Sequence, residues 1–105
     1  MKKDPQIAVE VKEIFDLIKK IAPGKSVELR IPLYGAIQCV TGSTHKRGTP
    51  PNTVEMNAQV LIQLRRNPKM WVELAASGQI SASGVASDLS LVFSQLLKPY
   101  PVVES

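Results

Sequence analysis

Cys39 and His45 are the side chains best equipped for covalent or acid–base chemistry, and they stand six positions apart in a chain with one cysteine and one histidine. A thiol activated by a neighbouring imidazole is a nucleophile. Cys39, however, lies between Ile37 and Val40 in a strand-like run, where a cysteine behaves as a small buried hydrophobe and its thiol stays protonated. His45 falls in a polar loop and reads as a solvated side chain. With no second histidine and no neighbouring acidic pair, the usual metal ligand sets do not assemble, and neither a metal nor a cofactor is expected. The carboxylates Glu28, Glu55, Glu73 and Asp88 would have to converge for acid–base work, and spacing alone does not bring them together. Asp88 has a simpler task beside the start of the last helix, where a negative charge meets the positive end of the helix dipole. Glu55 sits in a short strand, either paired with Arg47 or solvated. Gly24-Lys25-Ser26 ends like a phosphate-binding loop, but the first glycine of that motif would fall at Lys19, inside a helix. No residue pattern requires catalysis, and the chain is expected not to be an enzyme.

The elements that position these residues follow from hydrophobic spacing. Asp4-Pro5 opens a helix whose apolar stripe of Ile7, Val11, Ile14, Ile18 and Ile21, widened by Phe15 and Ala22, recurs every three or four residues until Pro23-Gly24 stops it. Val27 to Ile31 then alternates with period two, and Pro32 closes that strand. Tyr34 to Thr41 reads as a second strand, and the short connection favours an antiparallel hairpin. Residues 42–52 form a long irregular loop, followed by a short third strand over Thr53 to Met56. Asn57 caps a helix through about Arg66; Asn67-Pro68 breaks it and starts another carrying Met70, Trp71, Leu74 and Ala75, which Gly78 ends. Gln79 to Ser83 alternates again, with Ile80 and Ala82 on one side. Ser87-Asp88 caps a last helix bearing Leu89, Val92, Phe93, Leu96 and Leu97, with an extended tail after Lys98-Pro99. This order predicts an α+β fold, a small antiparallel or mixed sheet with helices on one face. Trp71, Met70 and Phe93 either fill its core or line a cavity between helices and sheet.

At 105 residues the chain can bury about 65% of its extended surface, enough for a single core, and residues 1–105 are expected to form one domain. Its apolar runs are far shorter than the roughly 20 residues a membrane span needs, and a lone cysteine excludes an intramolecular disulfide. A cytoplasmic protein without a transmembrane segment is expected. Thirteen Lys and Arg against nine Asp and Glu leave a net charge of +4. The first helix mixes both signs, so only His45-Lys46-Arg47 and Arg65-Arg66 with Lys69 are locally basic. Aromatic stacking partners are scarce, no recognition motif is present, and nucleic acid is an unlikely partner.

The stretch Arg47-Gly48-Thr49-Pro50-Pro51-Asn52-Thr53-Val54-Glu55, with Ala82-Ser83-Gly84 and Asp88-Leu89-Ser90, resembles small bacterial sterol carrier protein-like proteins. The resemblance extends through Val27-Glu28-Leu29-Arg30-Ile31-Pro32, Tyr34 to Val40 and Trp71 to Gly78. It departs from the family pattern at Ala86, where an arginine commonly precedes the acidic segment, so Asp88 lacks that partner. The resemblance implies a sheet of about five strands covered by helices, with an apolar tunnel between the layers that takes a fatty acid, lipid or sterol-like molecule without catalysis. On that pattern Phe15, Trp71, Phe93 and Leu97 face the ligand, while Arg47, Thr49 and Asn52 form a polar rim for an anionic head group. The other reading keeps the interior packed and gives the Arg-Gly-Thr-Pro-Pro-Asn loop to a protein partner. In that case the two prolines stiffen the turn and Asn52 bonds neighbouring amides.

Overall fold

The computed structural model describes residues 3–42 and 52–97, with Leu97 described through its backbone alone. Helix α1 (Pro5–Ile21) begins where the Asp4 carboxylate accepts hydrogen bonds from the Gln6 and Ile7 amides at 2.8 and 3.3 Å. That satisfies two of the N–H groups a helix start leaves without partners. Its buried face is Val11, Ile14, Phe15 and Ile18, the middle of the stripe read from the sequence, while Ile7 and Ala22 are half-buried and Ile21 is exposed. Strands β1 (Val27–Ile31) and β2 (Gly35–Cys39) form the expected antiparallel hairpin, with Leu29 opposite Ile37. Strand β3 (Asn52–Glu55) lies on the other side of β1 and runs parallel to it, and β4 (Ser81–Ser83) pairs antiparallel with β3. The sheet is mixed, in the order β2-β1-β3-β4, four strands among the described residues where about five are expected.

Asn57 accepts from the Val60 amide at 2.9 Å and opens α2 (Ala58–Arg66), and Asn67-Pro68 turns the chain through a short 3₁₀ segment, Pro68–Met70, into α3 (Trp71–Ala76). Helix α4 (Ser90–Leu97) starts two residues beyond Asp88, whose carboxylate accepts from the Ser90 amide at 2.9 Å, the capping task assigned to it.

Strand alternation divides the sheet into two faces. Val27, Leu29, Ile31 and Val54 are buried beneath the helices with Leu61, Leu64, Leu89 and Phe93. Register places Glu28, Arg30, Gln38, Thr53, Glu55, Ser81 and Ser83 on the opposite face. At the β4 edge the pattern differs from expectation. Ile80 is buried, but it precedes the strand, while Ala82 points to the helix side and is nevertheless exposed, because the helical layer does not extend over that edge.

Candidate functional site

A groove of about 500 Å³ opens where the first turn of α1, the β1–β2 turn and the start of α2 meet. Its walls are mainly apolar: Ile7 on one side, Pro32, Leu33 and Tyr34 on another, and Asn57, Ala58 and Gln59 on the third. That volume falls within the range of small-molecule pockets.

Local chemistry explains how each wall is held. The Tyr34 amide donates to the Ile31 carbonyl at 2.9 Å and closes a four-residue turn with Pro32 second and Leu33 third. Pro32 suits its place, since its ring presets the backbone for the second position of a tight turn. Leu33 does not suit its own: its φ is +78°, a conformation that such turns ordinarily give to glycine or asparagine. An L residue with a Cβ held there costs about 1–2 kcal/mol. The Tyr34 hydroxyl accepts from the Asp4 amide at 2.9 Å, which ties the turn to the start of α1, and the Lys3 ammonium stands 6.0 Å from the Tyr34 ring centre. Asn57 spends its amide oxygen on the cap of α2, and no hydrogen bond uses its NH₂ group among the described residues.

Phe15, Trp71 and Phe93, expected to face a ligand between helices and sheet, lie in the buried core and not at this groove. Phe93 is fully buried, Trp71 and Phe15 are 6% and 8% exposed, and none of the three lines the groove. The Trp71 and Phe93 rings pack with centres 6.3 Å apart, tilted by 33°, and Phe15 lies beneath Gly35, one ring carbon 3.6 Å from where a Cβ would stand. The Leu97 side chain, Arg47, Thr49 and His45 lie outside the described residues.

Asn52, expected at a polar rim, is instead 3% exposed with its amide fully engaged. Its Nδ2 donates to the Ser26 carbonyl at 2.9 Å and lies 3.4 Å from the Ser26 hydroxyl, while its Oδ1 accepts from the Ala86 amide at 3.0 Å. That is the amide-bonding role of the packed-loop reading, and it leaves nothing to offer a head group. Ala86 contributes its backbone to this knot.

Cys39 is fully buried, and desolvation pushes its thiol up to about 11, so its nucleophilic form is suppressed. No cluster of three metal-ligating side chains occurs among the described residues. Arg65 and Arg66 reach Glu13 and Glu10 on α1 at 3.4 and 4.0 Å, which binds much of that basic excess to the protein's own carboxylates.

Residue types gave little warning of the groove. Ile7 belongs to the α1 stripe and Pro32 marks a turn, but nothing about Leu33, Ala58 or Gln59 indicates that folding brings them together. The available signal is a proline-initiated turn lacking the glycine its third position favours.

The fold is α+β, a mixed sheet carrying helices on one face, and it is sterol carrier protein-like. The sequence matches the family described as bacterial SCP ortholog over residues 3–94, and the chain belongs to that family. A solved structure described as UbiJ-SCP2, a ubiquinone synthesis protein, is similar with a TM-score of 0.54 and 14% identity, covering 92% of this chain and 93% of that one. At this identity the likeness is one of fold. No curated protein matches the sequence. Among the described residues no helix is long and apolar enough to cross a membrane.

Proposed function

We propose that this protein binds an apolar small molecule, a fatty acid, lipid or sterol-like compound, without transforming it. The observation that carries this reading is the apolar-walled groove between α1, the β1–β2 turn and α2. Binding there draws on desolvation, worth about 0.8 kcal/mol for each methylene removed from water, so few polar contacts are needed. Family membership supports the same reading. The suppressed thiol of Cys39 argues against nucleophilic catalysis at that residue. Native mass spectrometry of the purified protein, before and after incubation with fatty acids, phospholipids, sterols and an isoprenoid quinone, tests it. A reproducible stoichiometric adduct is the expected result, and a bare protein mass throughout would sink the proposal.

The tight burial of Trp71, Phe93 and Phe15 favours a second reading, in which the interior is solidly packed and the protein acts as an accessory module that recruits a protein or enzyme through the Arg47 to Asn52 loop. Replacing Arg47 and Thr49 by Ala would then abolish partner capture while leaving thermal stability unchanged.

A further inference from the structure

Among the described strands the sheet ends at β2, and the ladder fixes which backbone groups that edge presents. The Met56 amide donates to the Arg30 carbonyl at 3.2 Å, so the backbone groups of Arg30 point toward β3 and those of its neighbours Leu29 and Ile31 point toward β2. Ile37 and Gly35 stand opposite them and take up that side of the ladder. Backbone direction alternates along a strand, which turns the N–H and C=O of Ala36 and Gln38 outward. Among the described residues no hydrogen bond uses these four groups, and both residues are exposed.

An open edge is a template for another strand, and native sheets ordinarily refuse one with charge, proline or a very short strand. The edge strand β4 uses the last of these, at three residues. β2 uses none of them: it has five residues, Gly35-Ala36-Ile37-Gln38-Cys39, without charge or proline. Its sequence also fits its own copy. In antiparallel pairing centred on Ile37, Ala36 of each copy faces Gln38 of the other, and the outward N–H and C=O groups of one copy meet those of the other. The two Ile37 side chains, each half-buried on the helix side, come together at the two-fold axis, where a β-branched cross-strand pair is favourable. On the uncovered face, the row of Arg30 and Ala36 continues into the other copy's Gln38 and Glu28, so each row ends in unlike charges.

We propose that β2 is a dimerisation edge: two copies of this chain pair β2 against β2 about a two-fold axis at Ile37 and join their four-stranded sheets into one. The unprotected edge with a self-complementary register is the juxtaposition that carries it. A contact built on one strand pair lies at the small end of specific interfaces, so the dimer is transient and its population follows concentration.

The test is sedimentation velocity of the full chain between roughly 10 µM and roughly 1 mM, a range over which wild type is expected to shift from monomer to dimer. Two double variants, Ala36→Lys with Gln38→Lys and Ala36→Glu with Gln38→Glu, set like charges opposite each other at both facing pairs. Each should weaken association by about tenfold or more while melting as wild type does, because both positions are exposed. Mixing the two variants in equal amounts makes every facing pair unlike in charge and should restore the dimer. Ser81→Lys with Ser83→Lys, at the other edge, should associate as wild type does. A wild type that stays monomeric throughout overturns the proposal, as do charge variants that associate as wild type does or a mixture that fails to dimerise. Loss of the dimer in the Ser81 and Ser83 variant moves the contact to β4 and overturns it equally.

Discussion

At the scale of single residues, Asn52 joins segments that lie far apart in sequence. One amide holds the approach to β1 through Ser26 and the turn after β4 through Ala86, both at the head of β3. Gly84 completes the fit: its φ is +107°, and a Cβ there would run into the Asn52 side chain. Asn52→Ala leaves the buried Ser26 without its side-chain partner and hands the exposed Ala86 N–H to solvent, at a cost of about 1–3 kcal/mol. Urea denaturation should show that loss, and a midpoint within error of wild type would remove Asn52 from this role. Cys39 behaves differently, because its effect appears only in alkali. Burial raises its thiol from 9.0 to about 11, so the folded state retains the proton that the unfolded chain gives up. The resulting stability is full below pH 9.0 and declines as pH rises toward about 11. Cys39→Ala, compared across that window, should lose less stability with rising pH than wild type, and native protein should react with a thiol reagent only as fast as it unfolds. The role of Cys39 was legible because an apolar neighbourhood is a local property of sequence. The amide-bonding task of Asn52 was anticipated, but its partners were not, because nothing local in the sequence links positions 26, 52 and 86.

Among elements, helices were read more accurately than the sheet. α1 and α2 begin where Asp4 and Asn57 predicted, since a cap and an apolar stripe are both encoded within a few residues. The β1–β2 hairpin was legible for the same reason. The parallel pairing of β1 with β3 was not, because the register of strands brought together by a long connection is set by tertiary packing. The groove inherits this limit: its walls come from three elements, and only the caps and the proline of the turn announce themselves. Asp4 is where element stability and groove architecture meet, because its carboxylate caps α1 while its amide binds the Tyr34 hydroxyl. Asp4→Ala removes the cap and keeps the amide, so the expected cost is that of a lost N-cap, about 1 kcal/mol, or about 4–8 °C in melting temperature for a domain of this size. Calorimetry would check this, and a shift well beyond that range would mean that the carboxylate does more than cap the helix.

For the molecule as a whole, the sheet separates two physical environments one side chain apart. Leu29 and Arg30 are consecutive in β1, yet Leu29 is fully buried under the helices while Arg30 points to the uncovered face, where its Nε lies 3.0 Å from Glu28. That ion pair is substantially solvated, with side chains 46% and 23% exposed, and screening by water keeps such pairs near zero to 1 kcal/mol. Register sets Glu55 beside Arg30 on this face, so the sheet presents a charged, serine-bordered surface opposite its apolar one. Arg30→Ala should therefore change stability by under about 1 kcal/mol, and by less still in high salt. Leu29→Ala should cost about 2–5 kcal/mol, because it opens a cavity in a layer that the helices cannot collapse to fill. Equilibrium denaturation of the two variants in low and high salt separates these causes. A large, salt-sensitive loss in Arg30→Ala would mean that the uncovered face contributes to folding, whereas the predicted contrast leaves that face energetically free to meet solvent or another molecule without disturbing the core that holds the groove in place.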